Sequence, residues 1–202
     1  ITCRDWSSDV CSSDLFVIDS KDGDRVLHGA RIIPERGSWI EMSVTRKDVL
    51  VIRIDQSSKI PATAFLRAMS PDYGRTDVLL RLFYPTQSVK TKKLDPNMWA
   101  VGPIVDTETG EILVEAGSQL GDAVGKIQAS GLDSVEVISE VNDALVLNTI
   151  AEDGCEGHEE ALMKIYARLR PGNPANLEKA KLLFDEKFYD LNRYRLGAVG
   201  RF

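Results

Sequence analysis

Alternating apolar and polar residues predict three short strands in the first third of the chain. Residues 25–33 alternate, residues 39–44 follow a Gly-Ser turn, and residues 49–55 place two valines on one face and Leu or Ile on the other. Side chains of a strand point alternately to the two faces of a sheet, so a period of two marks a half-buried strand. Because only short polar turns separate the three runs, the pattern predicts an antiparallel meander.

Two helices are predicted after the meander. Pro61 suits the first turn of a helix, where its missing N–H is not needed, and Thr76 is a suitable N-cap for a second helix. The spacing of apolar residues gives the first helix one buried stripe, made of Ala62, Phe65, Leu66 and Met69. Residues 85–100 contain two prolines and little periodicity, which favours a linker.

The remaining chain predicts a small mixed unit followed by two helices. The mixed unit consists of a hairpin (104–105 with 112–114), a helix from Ser118 to about Ser130 that ends at Gly131, and strands at 135–138 and 144–150. The two helices are expected at about 159–168 and 177–188, separated by Pro171 and Pro174, which cannot continue either helix. The expected fold class is α+β: an antiparallel β meander with packed helices, plus a small hairpin–helix–strand subdomain.

The first fifteen residues differ in character from the rest. Residues 4–15 are rich in Ser and Asp, contain one Cys and one Trp, and have no helix or strand period, so composition alone favours a disordered polar leader. They also resemble the translation, in one frame, of a widely used DNA-sequencing adapter. We therefore interpret residues 1–15 as a non-native leader and exclude them from the fold. Of the three cysteines only Cys155 lies outside this leader, and a single cysteine cannot form an internal disulfide.

Charge is divided unevenly along the chain. Residues 25–93 contain 13 basic and 6 acidic residues, residues 94–160 contain 1 and 15, and residues 161–202 contain 9 and 4. The net charges of the three segments are therefore +7, −14 and +5. This asymmetry fits an ordinary solvated surface, and it equally fits a basic face directed toward a polyanion with the acidic part pointing away.

The sequence lacks the motifs of self-contained chemistry. It has no phosphate-binding loop, no dinucleotide fingerprint and no pair of Cys-x-x-Cys motifs. Cys155 and His158 could form only half a metal site, and the carboxylates between Glu108 and Glu160 have no evident His or Lys partner. No membrane-spanning run or secretion signal is apparent, which favours a cytoplasmic location. We therefore expect no catalytic site and no bound metal in this chain.

Trp39 is the residue with the clearest alternative roles. It directly follows a Gly-Ser turn near Arg36, and it could be a core residue of the meander. The other alternative is a platform on which a nucleic-acid base stacks beside a cation, worth about 1–3 kcal/mol per base. Arg53, Asp55 and Lys59 lie close by, where Arg or Lys could contact phosphates and Asp could accept from a base amino group. The predicted DNA-contacting residues are Trp39, Asp55, Arg36 and Lys59.

Two stretches resemble a known family. The first contains ARIIP, RGSW, VIRID and KIPAT at residues 30–34, 36–39, 51–55 and 59–63. The second contains IY, LRPGNP, LF, RY and AVGR between Ile165 and Arg201. In order and spacing they resemble the lobe of bacterial RNA polymerase β subunits. The resemblance covers roughly residues 16–202 and is looser over residues 85–158.

The resemblance implies a role that composition does not. A complete β subunit pairs with β′ in DNA-directed RNA polymerase, a nucleotidyltransferase, and its lobe is a non-catalytic wall of the DNA cleft. In the family, the residues matching Trp39 and Asp55 line a pocket for non-template-strand bases near the start site. The family often has several arginines after that Asp, whereas this chain has residues 56–58 (Gln-Ser-Ser), and only Lys59 persists.

The resemblance also implies partners and a division of the chain. The partners would be the β′, α, ω and σ subunits and DNA, with no membrane, and the catalytic Mg²⁺ would be bound by β′, so this chain needs no cofactor. The expected parts are a leader (1–15), a lobe base (16–93 with 159–202) and an acidic lobe subdomain (94–158).

Two rival hypotheses make different predictions. A free-standing nucleic-acid-binding domain would bind DNA tightly on its own. A small hydrolase or transferase would need a base–nucleophile pair, which the sequence lacks.

Overall fold

The computed structural model describes residues 26–107 and 109–197 of the chain. The predicted leader at residues 1–15 and the AVGR sequence at residues 198–201 lie outside the described residues. The architecture is α+β, as the sequence predicts, with antiparallel sheets and helices packed against them.

The predicted meander is confirmed, and a fourth short strand extends it. The antiparallel sheet has the order β1 (Gly29–Ile32), β2 (Ile40–Val44), β3 (Leu50–Ile54) and β4 (Ile60–Pro61). Ile40 pairs with Ile54 and Met42 pairs with Ile52 across β2 and β3. These apolar pairs give the sheet one face that must be buried, and a slip of one residue would expose that face, which fixes the register.

Helices cover this apolar face. The described residues form six α-helices: α1 (Ala62–Met69), α2 (Thr76–Phe83), α3 (Val124–Ala129), α4 (Leu145–Asp153), α5 (His158–Leu169) and α6 (Leu177–Phe188). Helices α1, α5 and α6 share the largest apolar cluster with the sheet, and Ile54, Ala64, Phe65, Ile165 and Phe184 are among its buried members. The core of the chain therefore joins its first third to its last third.

The middle of the chain forms two smaller sheets around a second apolar cluster. Their strands are β5 (Gln87–Lys90), β6 (Trp99–Ala100), β7 (Ile104–Val105), β8 (Ile112–Val114) and β9 (Ser134–Ile138). One sheet has the order β5-β9-β6, and β7 and β8 form the predicted hairpin. Leu94, Ile104, Leu120, Ile127 and Val137 are buried together between these strands and α3.

Residues 85–100 do not form the predicted linker. They contain β5 and β6, and both strands pair with β9. Pro85 and Pro96 flank these strands instead of interrupting them. Most of β5 is exposed to solvent, so its sequence has no apolar alternation by which a strand could have been predicted.

The strand predicted at residues 144–150 is helix α4 instead. This run is almost continuously apolar, and periodicity alone cannot distinguish a buried strand from a buried helix. Contacts and backbone geometry at its two ends favour the helix. The Asp143 carboxylate accepts the N–H of Leu145 at 2.8 Å, and Gly154 ends the helix with a left-handed φ of 59°.

Two predicted helix caps are also wrong. The N-cap of α2 is Arg75, and the Thr76 hydroxyl instead accepts a hydrogen bond from Arg67 at 2.8 Å. Ser118 does not cap a helix, because α3 begins only at Val124, after a 3₁₀ turn. The predicted end of this helix at Gly131 is confirmed, with a left-handed φ of 73°.

A buried ion pair lies at the junction of α1 and α4. Arg67 was not part of the predicted α1 stripe, yet its side chain is only 1% exposed. Its guanidinium donates to the Asp153 carboxylate at 3.0 Å, to the Thr76 hydroxyl at 2.8 Å and to the Gly74 carbonyl. One side chain therefore fixes α1, α2, α4 and the connection between α1 and α2 relative to one another.

Helix α5 completes this ionic cluster. The Lys164 ammonium donates to the Asp153 carbonyl and lies 3.7 Å from its carboxylate. The Nδ1 atom of His158 lies 2.7 Å from the Arg67 carbonyl, to which it can donate. The expectation that the carboxylates of the acidic segment lack a basic partner is therefore wrong for Asp153. Both of its partners lie outside that segment.

We expect Asp153→Ala to destabilise the chain by about 3–5 kcal/mol, because it leaves the buried Arg67 charge without its carboxylate partner. Denaturant melts would measure this loss as a change in the free energy of unfolding. Asp133→Ala is the matched control, since Asp133 is exposed and its loss should cost about 0.5 kcal/mol or less. Equal effects of the two substitutions would show that the ion pair does not hold the helices together.

Candidate nucleic-acid interface

Trp39 lies directly before β2, and its side chain reaches solvent. The residue is 46% exposed, so the alternative that it belongs to the core is wrong. The Arg31 guanidinium lies 6.0 Å from the centre of the indole ring, within the range of a cation–π contact. An aromatic face beside a cation is therefore available at the end of the main sheet where β2 begins.

The backbone before Trp39 requires a glycine. Gly37 has a φ of 125°, and a Cβ placed there would lie 2.7 Å from the Tyr194 ring. The neighbouring Arg36 forms two backbone hydrogen bonds with Arg195, at 2.8 and 3.2 Å. The C-terminal part of the described chain thus passes directly against the Gly-Ser turn and fixes its path.

Asp55 holds the backbone of Trp39 in place. Its carboxylate accepts the Trp39 N–H at 2.9 Å, and its own N–H donates to the Trp39 carbonyl at 3.0 Å. Asp55 and Gln56 both have positive φ values, 48° and 61°, and Ser57 donates to the Ile54 carbonyl. These features define a type I′ turn, whose first central position Asp tolerates better than most residues.

Lys187, at the end of α6, completes this arrangement. Its ammonium donates to the Asp55 carboxylate at 2.7 Å and to the Ser38 hydroxyl at 2.6 Å. No local pattern in the sequence indicates this contact, because Lys187 lies 132 residues after Asp55. We use the name Asp55 clamp for the set Ser38, Trp39, Asp55 and Lys187.

The surroundings of Asp55 favour its charged form. Partial burial raises the pKa of its carboxyl group, but hydrogen bonds from Lys187, Ser38 and the Trp39 N–H, together with the Lys187 charge, outweigh burial. The pKa of Asp55 therefore lies below its ordinary value. The clamp should stay ionised under all physiological conditions.

Arg36 lies beside the clamp, whereas Lys59 lies apart from it. Arg36 is exposed and donates to the Asn192 carbonyl at 3.1 Å. A cavity of about 260 Å³ borders the clamp, and Asp55, Lys187, Arg170 and Arg193 contribute to its lining. Lys59 is also exposed, but it lines a separate, larger cavity. Three of the four predicted residues are thus brought together, and the fourth faces a different surface.

The structure gives no support to the half metal site at Cys155 and His158. Cys155 is buried, and burial together with Asp153 raises the pKa of its thiol to about 11. Within residues 26–107 and 109–197, no group of three or more His, Cys, Asp or Glu side chains could hold a metal ion. In the same residues, no helix is long and apolar enough to cross a membrane.

Comparison with curated proteins gives several relatives, although no protein-family profile matches the chain. The chain is 50% identical over 200 residues to the DNA-directed RNA polymerase subunit beta of Rhodopirellula baltica, covering 94% of this chain and 16% of the relative. The same subunit of Leptospira biflexa is 30% identical over 194 residues, covering 91% and 16%. That of Geotalea daltonii is 32% identical over 244 residues, covering 88% and 17%.

These relatives confirm the family resemblance seen in the sequence. The chain spans about a sixth of the length of the curated relatives it matches. The similarity extends over most of the chain, and it is found with the β subunits of three different bacteria. The chain therefore belongs to the family of bacterial DNA-directed RNA polymerase β subunits, as a segment of that subunit.

Proposed function

We propose that the chain forms a non-catalytic lobe of a DNA-directed RNA polymerase and contributes one wall of the DNA cleft. The complete enzyme would transfer nucleotides in the bacterial cytoplasm, at the nucleoid. Its β′, α, ω and σ subunits and DNA would be the partners of this chain, and β′ would bind the catalytic Mg²⁺. The relatives support this proposal, because each is named as the β subunit of that enzyme.

The observation that carries the DNA-contacting role is an exposed indole on a fixed backbone. Trp39 is 46% exposed, yet both of its backbone polar groups are bonded to Asp55. Because the backbone is already fixed, it loses little conformational entropy when a base stacks on the ring, and more of the stacking energy contributes to binding. The proposed ligand of Trp39 is an unpaired base of the non-template strand.

Asp55 can accept hydrogen bonds from the protein and from DNA at the same time. One carboxylate oxygen accepts from the Trp39 N–H and the other from Lys187, and the side chain is 45% exposed. Ser38 also hydrogen-bonds to this carboxylate. A carboxylate has about four acceptor positions, so one remains for a donor on a base edge. We propose that Asp55 first positions Trp39 and then accepts from a base amino group.

The nearby cations would contact phosphates. Arg36 lies next to the clamp, and Arg31 lies beside the indole ring. Lys59 would contact the DNA strand at a different point, because it borders the other cavity. Contacts of this kind orient a nucleic acid without reading its sequence, which leaves base recognition to Trp39 and Asp55.

We also propose that the chain is divided into functional parts. The lobe base (16–93 with 159–202) would face the DNA, and the acidic subdomain (94–158) would point away from it. The −14 net charge of residues 94–160 supports this orientation, because DNA repels it. Among these carboxylates, Glu136 is paired with Arg81 at 2.8 Å.

In a polymerase that contains this chain, we expect Trp39→Ala to shorten the lifetime of the open promoter complex. The loss of base stacking should correspond to about 1–3 kcal/mol. Trp39→Phe should retain part of the effect, because a phenyl ring still offers a π face. Decay of the complex after addition of a competitor would measure the lifetime.

The matched control is Phe83→Ala, which removes another exposed aromatic side chain, 48% exposed and located on α2. Both variants should lose about 1 kcal/mol or less of folding stability, since neither side chain is buried. If Trp39→Ala instead lost about 3–5 kcal/mol of stability while the lifetime stayed unchanged, the DNA role of Trp39 would be wrong.

We expect Lys187→Met to raise the pKa of Asp55, because it removes the strongest of the contacts that lower it. Since the folded pKa is lowered, the stabilisation by the clamp is complete above the ordinary Asp pKa of about 3.9. It is lost as the pH falls through the folded pKa. As the pH falls from the ordinary Asp pKa through the folded pKa, the variant should therefore lose less folding stability than the original chain. Titration of the Asp55 carboxyl by carbon-13 NMR would measure the shift.

Lys179→Met is the control for this experiment, because Lys179 lies on the same helix and is exposed. It should leave the pKa of Asp55 unchanged. The open-complex lifetime should fall with Lys187→Met and not with Lys179→Met. An Asp55 pKa that is the same in both variants would mean that Lys187 does not hold the clamp.

A further inference from the structure

A cavity larger than the one beside Asp55 lies away from the Asp55 clamp. Its volume is about 810 Å³, which is in the size range of sites for small molecules. It shares no lining residue with the cavity beside Asp55. Its lining includes the turn between β2 and β3, the start of β4, the end of α4 and one side of α5.

The charged lining of this cavity is strongly basic. Its cations are Arg46, Lys47, Lys59, Lys164 and Arg168, and its one carboxylate is Glu152. Lys164 and Arg168 are four residues apart on α5, so they lie on the same side of the helix. Cations from three elements of the fold thus surround one volume, where their mutual repulsion favours an anionic partner.

The cations differ in how far the protein itself neutralises them. Lys164 lies 3.7 Å from the Asp153 carboxylate. Among the described residues, Arg168 donates one hydrogen bond, to the neutral Ser58 hydroxyl at 3.5 Å. Lys47 and Lys59 are exposed, and neither has an ion pair to another described residue. At least three of the five positive charges are therefore available to a ligand.

The uncharged part of the lining includes an apolar wall. Val49 and Val51 are buried members of it, and Pro61 pairs with Val51 in the sheet register. A cavity with an apolar wall and a basic rim suits a molecule with two kinds of group. Anionic groups would meet the rim, and a planar or apolar group would lie against the valines.

We propose that this cavity binds a phosphorylated small molecule, with its phosphate groups on Lys47, Lys59 and Arg168. Phosphate offers several acceptor oxygens to Lys and Arg donors, and charge-assisted bonds of this kind are the strong ones. The site is independent of the proposed DNA contacts at Trp39, apart from Lys59. Its test therefore leaves Lys59 unchanged.

The experiment is calorimetric titration of the 202-residue chain with ATP, inorganic pyrophosphate and adenosine, at an ionic strength of about 0.15 M. The cavity variant is Lys47→Glu with Arg168→Glu. The control is Lys92→Glu with Lys93→Glu, which changes the net charge equally at exposed positions that do not line the cavity. Circular dichroism would establish that both variants keep the fold.

We expect saturable binding of ATP to one site per chain, weakened about tenfold or more by the cavity variant and about twofold or less by the control. Equally tight binding of pyrophosphate would identify phosphate alone as the recognised group, whereas tighter binding of ATP would show that the valine wall contributes. Adenosine alone should not bind measurably.

Two results would overturn the proposal. One is the absence of saturable binding of ATP and pyrophosphate below about 10 mM, or equal weakening by both variants, which would indicate non-specific attraction. The other is binding of a single-stranded oligonucleotide, but not of ATP or pyrophosphate, that only the cavity variant abolishes. That result would make the cavity a nucleic-acid surface.

Discussion

The buried ion pair between Arg67 and Asp153 is the constraint on which the helical half of the fold depends. Both side chains are almost completely removed from solvent, at 1% and 0% exposure. Charges at such depth are tolerated only when they are paired and hydrogen-bonded. Arg67 therefore specifies one arrangement of α1, α2 and α4, and the contacts of Lys164 and His158 add α5 to it.

Aromatic packing connects this arrangement of helices to the candidate interface. Phe65 on α1 lies 5.8 Å from Phe184 and 5.3 Å from Phe188 on α6, and Phe188 lies 5.8 Å from Tyr194. Lys187 is the neighbour of Phe188, so the position of α6 also sets the position of its ammonium. The exposed indole of Trp39 is thus supported by a chain of contacts that begins in the core.

Local patterns in the sequence predicted most of the elements and part of the site. The meander was predictable because alternation is a local property, and the proximity of Trp39 to Asp55 follows from the pairing of Ile40 with Ile54. Arg67 with Asp153, and Asp55 with Lys187, are 86 and 132 residues apart. Such polar pairs leave no periodic trace in the sequence. Helix α4 was predicted as a strand for a second reason, since an apolar run is compatible with a helix and with a strand.

Site-specific photocross-linking in a polymerase that contains this chain tests the proposed orientation of the lobe most directly. A photoreactive phenylalanine analogue would replace either Trp39 or Val105, which is 38% exposed on the hairpin of the acidic subdomain. In open promoter complexes we expect cross-links from position 39 to the non-template strand near the start site, and none to DNA from position 105. Cross-links to DNA from position 105 but not from position 39 would contradict the proposed DNA-facing surface.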